Sequence, residues 1–199
     1  MENSKAYYYI TKQMSATGRE KLDGYDERAF DDLTDNEKNK IEDKIWRRYT
    51  LGLDDGLAVY LPKLRKHDGI SALKKSLQKE KKKKKKVFLA DILYRATMDE
   101  SLFEIFRDCC NDENGRLRLA VVLQDYPKNT ITEGILKGIF VQSGYGPTQI
   151  TAIKGVLFQR GRLHSVNQLN KEELDYCRQF CVKDKSERKA LIEELLQET

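Results

Sequence analysis

Two histidines and four cysteines are the nitrogen and sulfur side chains with which this sequence of 199 residues could bind metal or attack a substrate. His67 and His164 lie far apart, and neither has a Cys or a carboxylate at a metal-ligand spacing. Both fall at expected helix boundaries and read as surface or capping histidines. Cys177 and Cys181 stand one helical turn apart, a spacing that offers two zinc ligands. No second pair completes the set, because Cys109 and Cys110 are adjacent and point to different faces of a helix. The four thiols are expected reduced, as small buried hydrophobes. Asp54-Asp55 precedes an expected helix and reads as an N-cap. Asp31-Asp32 falls in a linker, while Asp91 and Asp125 fall on helices, where either could serve as a lone acid. There is no glycine-rich phosphate loop, no Gly-x-Ser-x-Gly and no His-Glu-x-x-His. The expectation is a chain with no catalytic residue, no metal and no cofactor.

The elements that would carry these groups are helices. Hydrophobic residues make up 39% and charged residues 35%, and only three prolines and twelve glycines supply turns. That is too few for an all-β fold of many short strands. The chain has the length of one domain and needs no staples. No apolar run approaches the length of a membrane helix, and the first residues lack the apolar core of a secretion signal. Thr34 to Glu37, Thr130 to Glu133 and Asn170 to Glu173 have capping-box spacing, each ahead of apolar residues at helical intervals. Gly146-Pro147 marks a helix start and Gly161 a helix end. The pattern predicts an all-α protein of about ten helices, near 35–51, 54–65, 69–79, 84–97, 100–110, 116–126, 131–142, 147–160, 171–182 and 186–197. Pro62 should kink or end the second of them. Tyr7-Tyr8-Tyr9-Ile10 suits either a strand or an N-terminal helix.

A period runs through these helices. Ala58, Ala90, Ala120 and Ala152 are spaced by 32, 30 and 32 residues. The first three are preceded by Leu57, Leu89 and Leu119 and followed by Leu61, Leu93 and Leu123. The fourth has Thr151 and Gly155 at the matching places. One unit is thus a helix pair, and self-similarity on this scale marks a solenoid. The small residue lets a helix approach its neighbour, and the leucine fills the shared core.

These residues resemble a family. Leu57-Ala58 through Leu61, Phe88 through Leu93, and Arg118 through Leu123 look like second helices of short HEAT-like repeats of the PBS-lyase type. Gly69 through Leu77 is similar to a first helix of such a repeat. The resemblance covers roughly residues 34–161. It implies a right-handed superhelical array of antiparallel helix pairs, with 1–33 as an N-terminal segment and 162–199 as a helical cap. HEAT-like arrays are mostly protein-binding scaffolds. Many small bacterial proteins of this shape are similar to immunity proteins, which neutralise a toxin. The resemblance therefore implies a cytoplasmic, non-catalytic protein whose partner is a cognate toxin, with no membrane role.

Charge bears on the partner. Thirty-seven Lys and Arg face 32 Asp and Glu, a formal +5. Six of the lysines form one run, Lys81 to Lys86. Without those six, 31 cations face 32 anions, so the basic balance belongs to one segment. That segment is expected in a loop and helix start, exposed to solvent. On the second helices, Tyr94, Arg95, Arg116, Tyr126, Lys154 and Arg160 are the candidate partner-binding residues, since Arg and Tyr are enriched at hot spots. The alternative is a HEAT-like nucleic-acid-binding protein or DNA glycosylase. It would use Asp91 or Asp125, with Lys81 to Lys86, Arg95, Arg116, Arg118 and Lys154 on phosphates.

Overall fold

The computed structural model describes residues 3–17 and 24–197. They form ten α-helices. These are α1 (Lys5–Ser15), α2 (Asp35–Thr50), α3 (Gly69–Lys79), α4 (Lys83–Thr97) and α5 (Leu102–Cys109). There follow α6 (Glu113–Leu123), α7 (Thr130–Gln142), α8 (Pro147–Gln159), α9 (Lys171–Gln179) and α10 (Lys185–Gln197). Two 3₁₀ helices, Glu27–Phe30 and Asp55–Lys63, lie among them. The protein is all-α, with no strand among the described residues. Residues 1–2 and 18–23 of the expected N-terminal segment and 198–199 of the expected cap lie outside the described residues. Two compact units form. One holds the described residues up to Lys79 together with Ile92–Asp99, and the other holds Glu80–Asp91 with the described residues from Glu100 onward.

In the first unit, Tyr7 to Ile10 is helical. Ser4 caps α1 by accepting the Tyr7 N–H, and Ile10 and Met14, one turn apart, are buried. The Thr34–Glu37 capping box opens α2. The Glu37 carboxylate accepts the N–H of Ser4 at 2.6 Å and of Thr34 at 2.9 Å, and these bonds hold its pKa down to about 2. Ile41, Ile45 and Tyr49 then line the buried face of α2. The α-helix expected over 54–65 is instead the 3₁₀ helix Asp55–Lys63. Pro62 is the physical reason, for in an α-helix its ring would strike the carbonyl four residues back. The tighter winding still buries Leu57, Ala58, Tyr60 and Leu61 completely. Asp54 makes no cap bond. It is buried and accepts the Tyr25 hydroxyl at 2.6 Å, with the Arg48 guanidinium at 4.0 Å.

In the second unit, α8 packs on α6 and α7, and α10 packs on α7. α6 starts earlier than 116 because Asp112 caps it, accepting the Gly115 N–H at 2.9 Å. Asn129, not Thr130, caps α7 by accepting the Ile131 N–H at 2.7 Å. Glu133 is thereby released from the expected capping box. Pro147 opens α8 behind Gly146, and Gly161, with φ of 70°, closes it. The Asn170–Glu173 capping box opens α9.

Ala58, Ala90, Ala120 and Ala152 are all fully buried, as are the leucines that flank the first three within a per cent. Gly155, where the other units have leucine, has its own reason. A Cβ there would lie 2.9 Å from Leu136 Cδ1 and 3.1 Å from the Gln124 Cα. Ala120→Phe is expected to cost about 1–3 kcal/mol by overpacking. Ala96→Phe, at an exposed site, should stay within about 0.5 kcal/mol of wild type. Urea unfolding midpoints make the comparison, and equal midpoints would deny the buried alanine any packing role.

Candidate functional site

The lysine run straddles a helix start. Lys81 and Lys82 precede α4, and Lys83 to Lys86 occupy its first turn. The expectation of loop and helix start is met, but the run is not uniformly free. Lys83 pairs with Asp108, and Lys85 lies 3.1 Å from Glu80. Glu80 also accepts the backbone N–H groups of Lys81 and Lys82 at 2.9 Å. Lys81, Lys82 and Lys84 form no ion pair among the described residues.

Two devices hold α6 against this segment. At one end, Gly115 allows close approach. A Cβ there would lie 2.4 Å from the Cys109 carbonyl oxygen and 3.2 Å from the Lys83 Cβ. At the other end, the Tyr126 hydroxyl, just beyond α6, donates to the Asp91 carboxylate at 2.7 Å, with both side chains buried. Between these ends the Arg118 guanidinium covers the Phe88 ring, 5.7 Å from its centroid, a cation–π arrangement. Lys82, Lys84, Lys85, Phe88 and Arg118 line a surface hollow of about 310 Å³. Next to Arg118 on α6, Leu117 and Val121 stand one turn apart and are 43% and 40% exposed. The lining has no hydroxyl, thiol or carboxylate. Its side chains can attract anions and cover apolar surface.

Of the six residues expected to bind a partner, Tyr94 and Arg95 belong to the first unit and the other four to the second. Tyr94 and Tyr126 are both buried, which corrects their placement at the surface. Arg116 is half-buried and donates to the Cys110 carbonyl at 3.3 Å. Arg160 makes a two-pronged pair with Glu133, at 3.2 and 3.0 Å, and donates to the Leu196 carbonyl. These bonds tie α7, α8 and α10 together. Arg95 is exposed and stands 3.9 Å from Glu27, and Lys154 is half-buried. Asp91 is the buried acceptor already described. Asp125 is exposed and receives the Asn167 amide at 3.4 Å. Sequence reasoning named Arg118 only as a phosphate contact and missed Phe88, Leu117 and Val121. The signal available for the last two was an apolar residue on the polar side of the period.

The first unit has a cleft of its own. The Trp46 and His67 rings stack with centroids 4.6 Å apart and planes 2° from parallel. His67 Nε2 lies 2.8 Å from Asp43 Oδ1. An open cavity of about 660 Å³ lies beside them, with Tyr49, Ser71, Ala72 and Lys75 on its walls. His67 is thus a stacking partner and not a capping residue. His164 sits 2.6 Å from Glu173, the residue that closes the α9 capping box.

All four cysteines are buried with free thiols. Burial pushes Cys109, Cys110 and Cys181 up to about 11, and Cys177 upward. Such thiols stay protonated and are poor nucleophiles. Among the described residues no group of three or more His, Cys, Asp or Glu is placed to hold a metal ion. No helix among them is long and apolar enough to cross a membrane. Comparison with protein-family models, curated proteins and solved structures finds no match.

Proposed function

We propose that this chain is a non-catalytic protein-binding module, most concretely a cytoplasmic immunity protein that binds and neutralises a cognate toxin. The observation that carries the reading is the outer face of α6. Its inner residues Leu119, Ala120 and Leu123 are fully buried, yet Leu117 and Val121, on the same helix as Arg118, place apolar surface in water. Adjacent exposed apolar side chains rimmed by charge mark interaction surfaces. In this reading the helix pairs stack as HEAT-like repeats, and α4, α6 and α8 are the second helices. Their outward sides form the binding ridge, to which Lys154 adds charge.

The reactive groups support the same reading. The thiols are buried, Asp91 is engaged by Tyr126, and the exposed Asp125 receives the Asn167 amide. The glycosylase alternative needs an acid beside a base-binding pocket, and neither aspartate has one.

The test is co-expression with the product of the neighbouring gene. A tight complex should form and relieve that product's toxicity. Val121→Asp should weaken the complex by about 2 kcal/mol or more, as for an anchor at an interface, while leaving the helical circular dichroism unchanged. A neighbour that is a housekeeping enzyme, with no complex and no growth phenotype, would sink the immunity reading.

A further inference from the structure

The hollow on α4 and α6 carries information about what lands on it. Four of its five lining side chains are cations, and the fifth is Phe88. Glu80, which immediately precedes the lysine run, is already used by Lys85 and by two backbone N–H groups. Asp108 is used by Lys83. The hollow therefore faces solvent with uncompensated positive charge on Lys82, Lys84 and Arg118.

The position of that charge is costly to the fold. Helix N-termini carry a partial positive charge and favour acidic side chains. α4 starts with four lysines and has no acidic residue in its first turn. Lys83 and Lys85 are used, in pairs with Asp108 and Glu80, but Lys82 and Lys84 are exposed, and Val87, Leu89 and Ala90 bury the inner face of α4 without their ammonium groups. Two exposed lysines that oppose the helix dipole and take no part in the packing point to a binding requirement.

Two observations choose between anionic partners. A phosphate backbone would leave Leu117 and Val121 in water, and a duplex binder needs a basic surface wider than one segment. The remainder of the chain is balanced, 31 cations against 32 anions once the run of six is set aside. An acidic protein segment with an apolar side chain satisfies both the cations of the hollow and the exposed apolar pair on α6.

We propose that this face docks an acidic segment of a partner protein, with an apolar anchor against Phe88, Leu117 and Val121 and carboxylates against Lys82, Lys84 and Arg118. The proposal rests on the protein-binding reading and adds the partner's chemistry.

Fluorescence anisotropy with four labelled probes tests it. They are a short Glu-rich peptide with Leu at helical spacing, its Gln-for-Glu form, its Ser-for-Leu form, and a DNA duplex. The Glu/Leu peptide should bind at least about tenfold tighter than the other three, and its affinity should fall steeply with salt. The double variant Lys82→Ser/Lys84→Ser, at exposed sites, should lose about tenfold, and Phe88→Ser a similar factor. The lysine variant guards against a folding defect in the phenylalanine one. Equal binding of all peptides, tightest binding of the duplex, or indifference to both variants overturns the proposal. A complex with the neighbouring gene product that survives both variants would overturn it too, while leaving the protein-binding reading intact. Absence of any protein complex would remove that reading instead.

Discussion

Gly69→Ala is expected to destabilise the protein by about 3 kcal/mol or more. Gly69 opens α3 and is buried against the 3₁₀ helix. A Cβ there would lie 1.9 Å from the Leu61 carbonyl oxygen and 2.5 Å from its carbonyl carbon. Both are backbone atoms, so no rotamer change relieves the clash. Either α3 moves off Leu61, or the 3₁₀ helix shifts and carries Leu57 and Tyr60 with it. Each course opens a fully buried cluster, and a typical domain has only about 5–15 kcal/mol in hand. Gly134 and Gly138 of α7 supply the contrast. A Cβ at either would meet nothing within 4 Å. Alanine there should stabilise the helix by about 0.5–1 kcal/mol through backbone entropy alone. Urea unfolding followed by circular dichroism reads both signs. A wild-type midpoint for Gly69→Ala would show that α3 does not lie against Leu61.

The contrast between these glycines also marks what a sequence can disclose. Helix ends governed by neighbours in the chain were legible: the capping boxes at Thr34 and Asn170, the Gly146-Pro147 start and the Gly161 stop all stand where spacing put them. Caps offered by several adjacent polar residues were not. Asp112 and Asn129 won over Thr130 and over the later α6 start by geometry that composition does not encode. The buried tyrosines failed for two different reasons. Tyr94 lies four residues after Ala90, and four residues slightly exceed one helical turn, so it shares the inward face. Tyr126 lies past the end of α6, where helical phase no longer says which way a side chain points. The site followed the same rule. The lysine run was plain in the sequence. Its juxtaposition with Arg118 depends on Gly115 and on the Asp91–Tyr126 bond, both contacts between distant segments.

Arg188→Met is expected to release α10 from α7 and to cost about 3 kcal/mol, as the loss of several charge-assisted hydrogen bonds would. Arg188 is 4% exposed. Its Nη1 donates to the carbonyls of Val182 and Lys183, at 2.8 and 2.6 Å. Its Nε and Nη2 both reach the Val141 carbonyl, at 3.3 and 3.1 Å. Val141 lies in the last turn of α7, where the helix dipole also favours a cation. One guanidinium thus joins the end of α7 to the turn before α10. Nothing in Ser186-Glu187-Arg188-Lys189 distinguished this arginine from the lysine beside it. Arg188→Lys should recover only part of the loss, because a single ammonium cannot span both sets of carbonyls as the planar fork does. Amide hydrogen exchange should show faster opening of α10 in the methionine variant, with α6 and the first unit protected as before. The same variant separates two places for the binding surface. If the partner is held by α4 and α6, the complex survives the loosening of α10, and added partner leaves α10 exchange unchanged. If the C-terminal helices carry the contact, binding falls with the loss of α10 and added partner restores its protection.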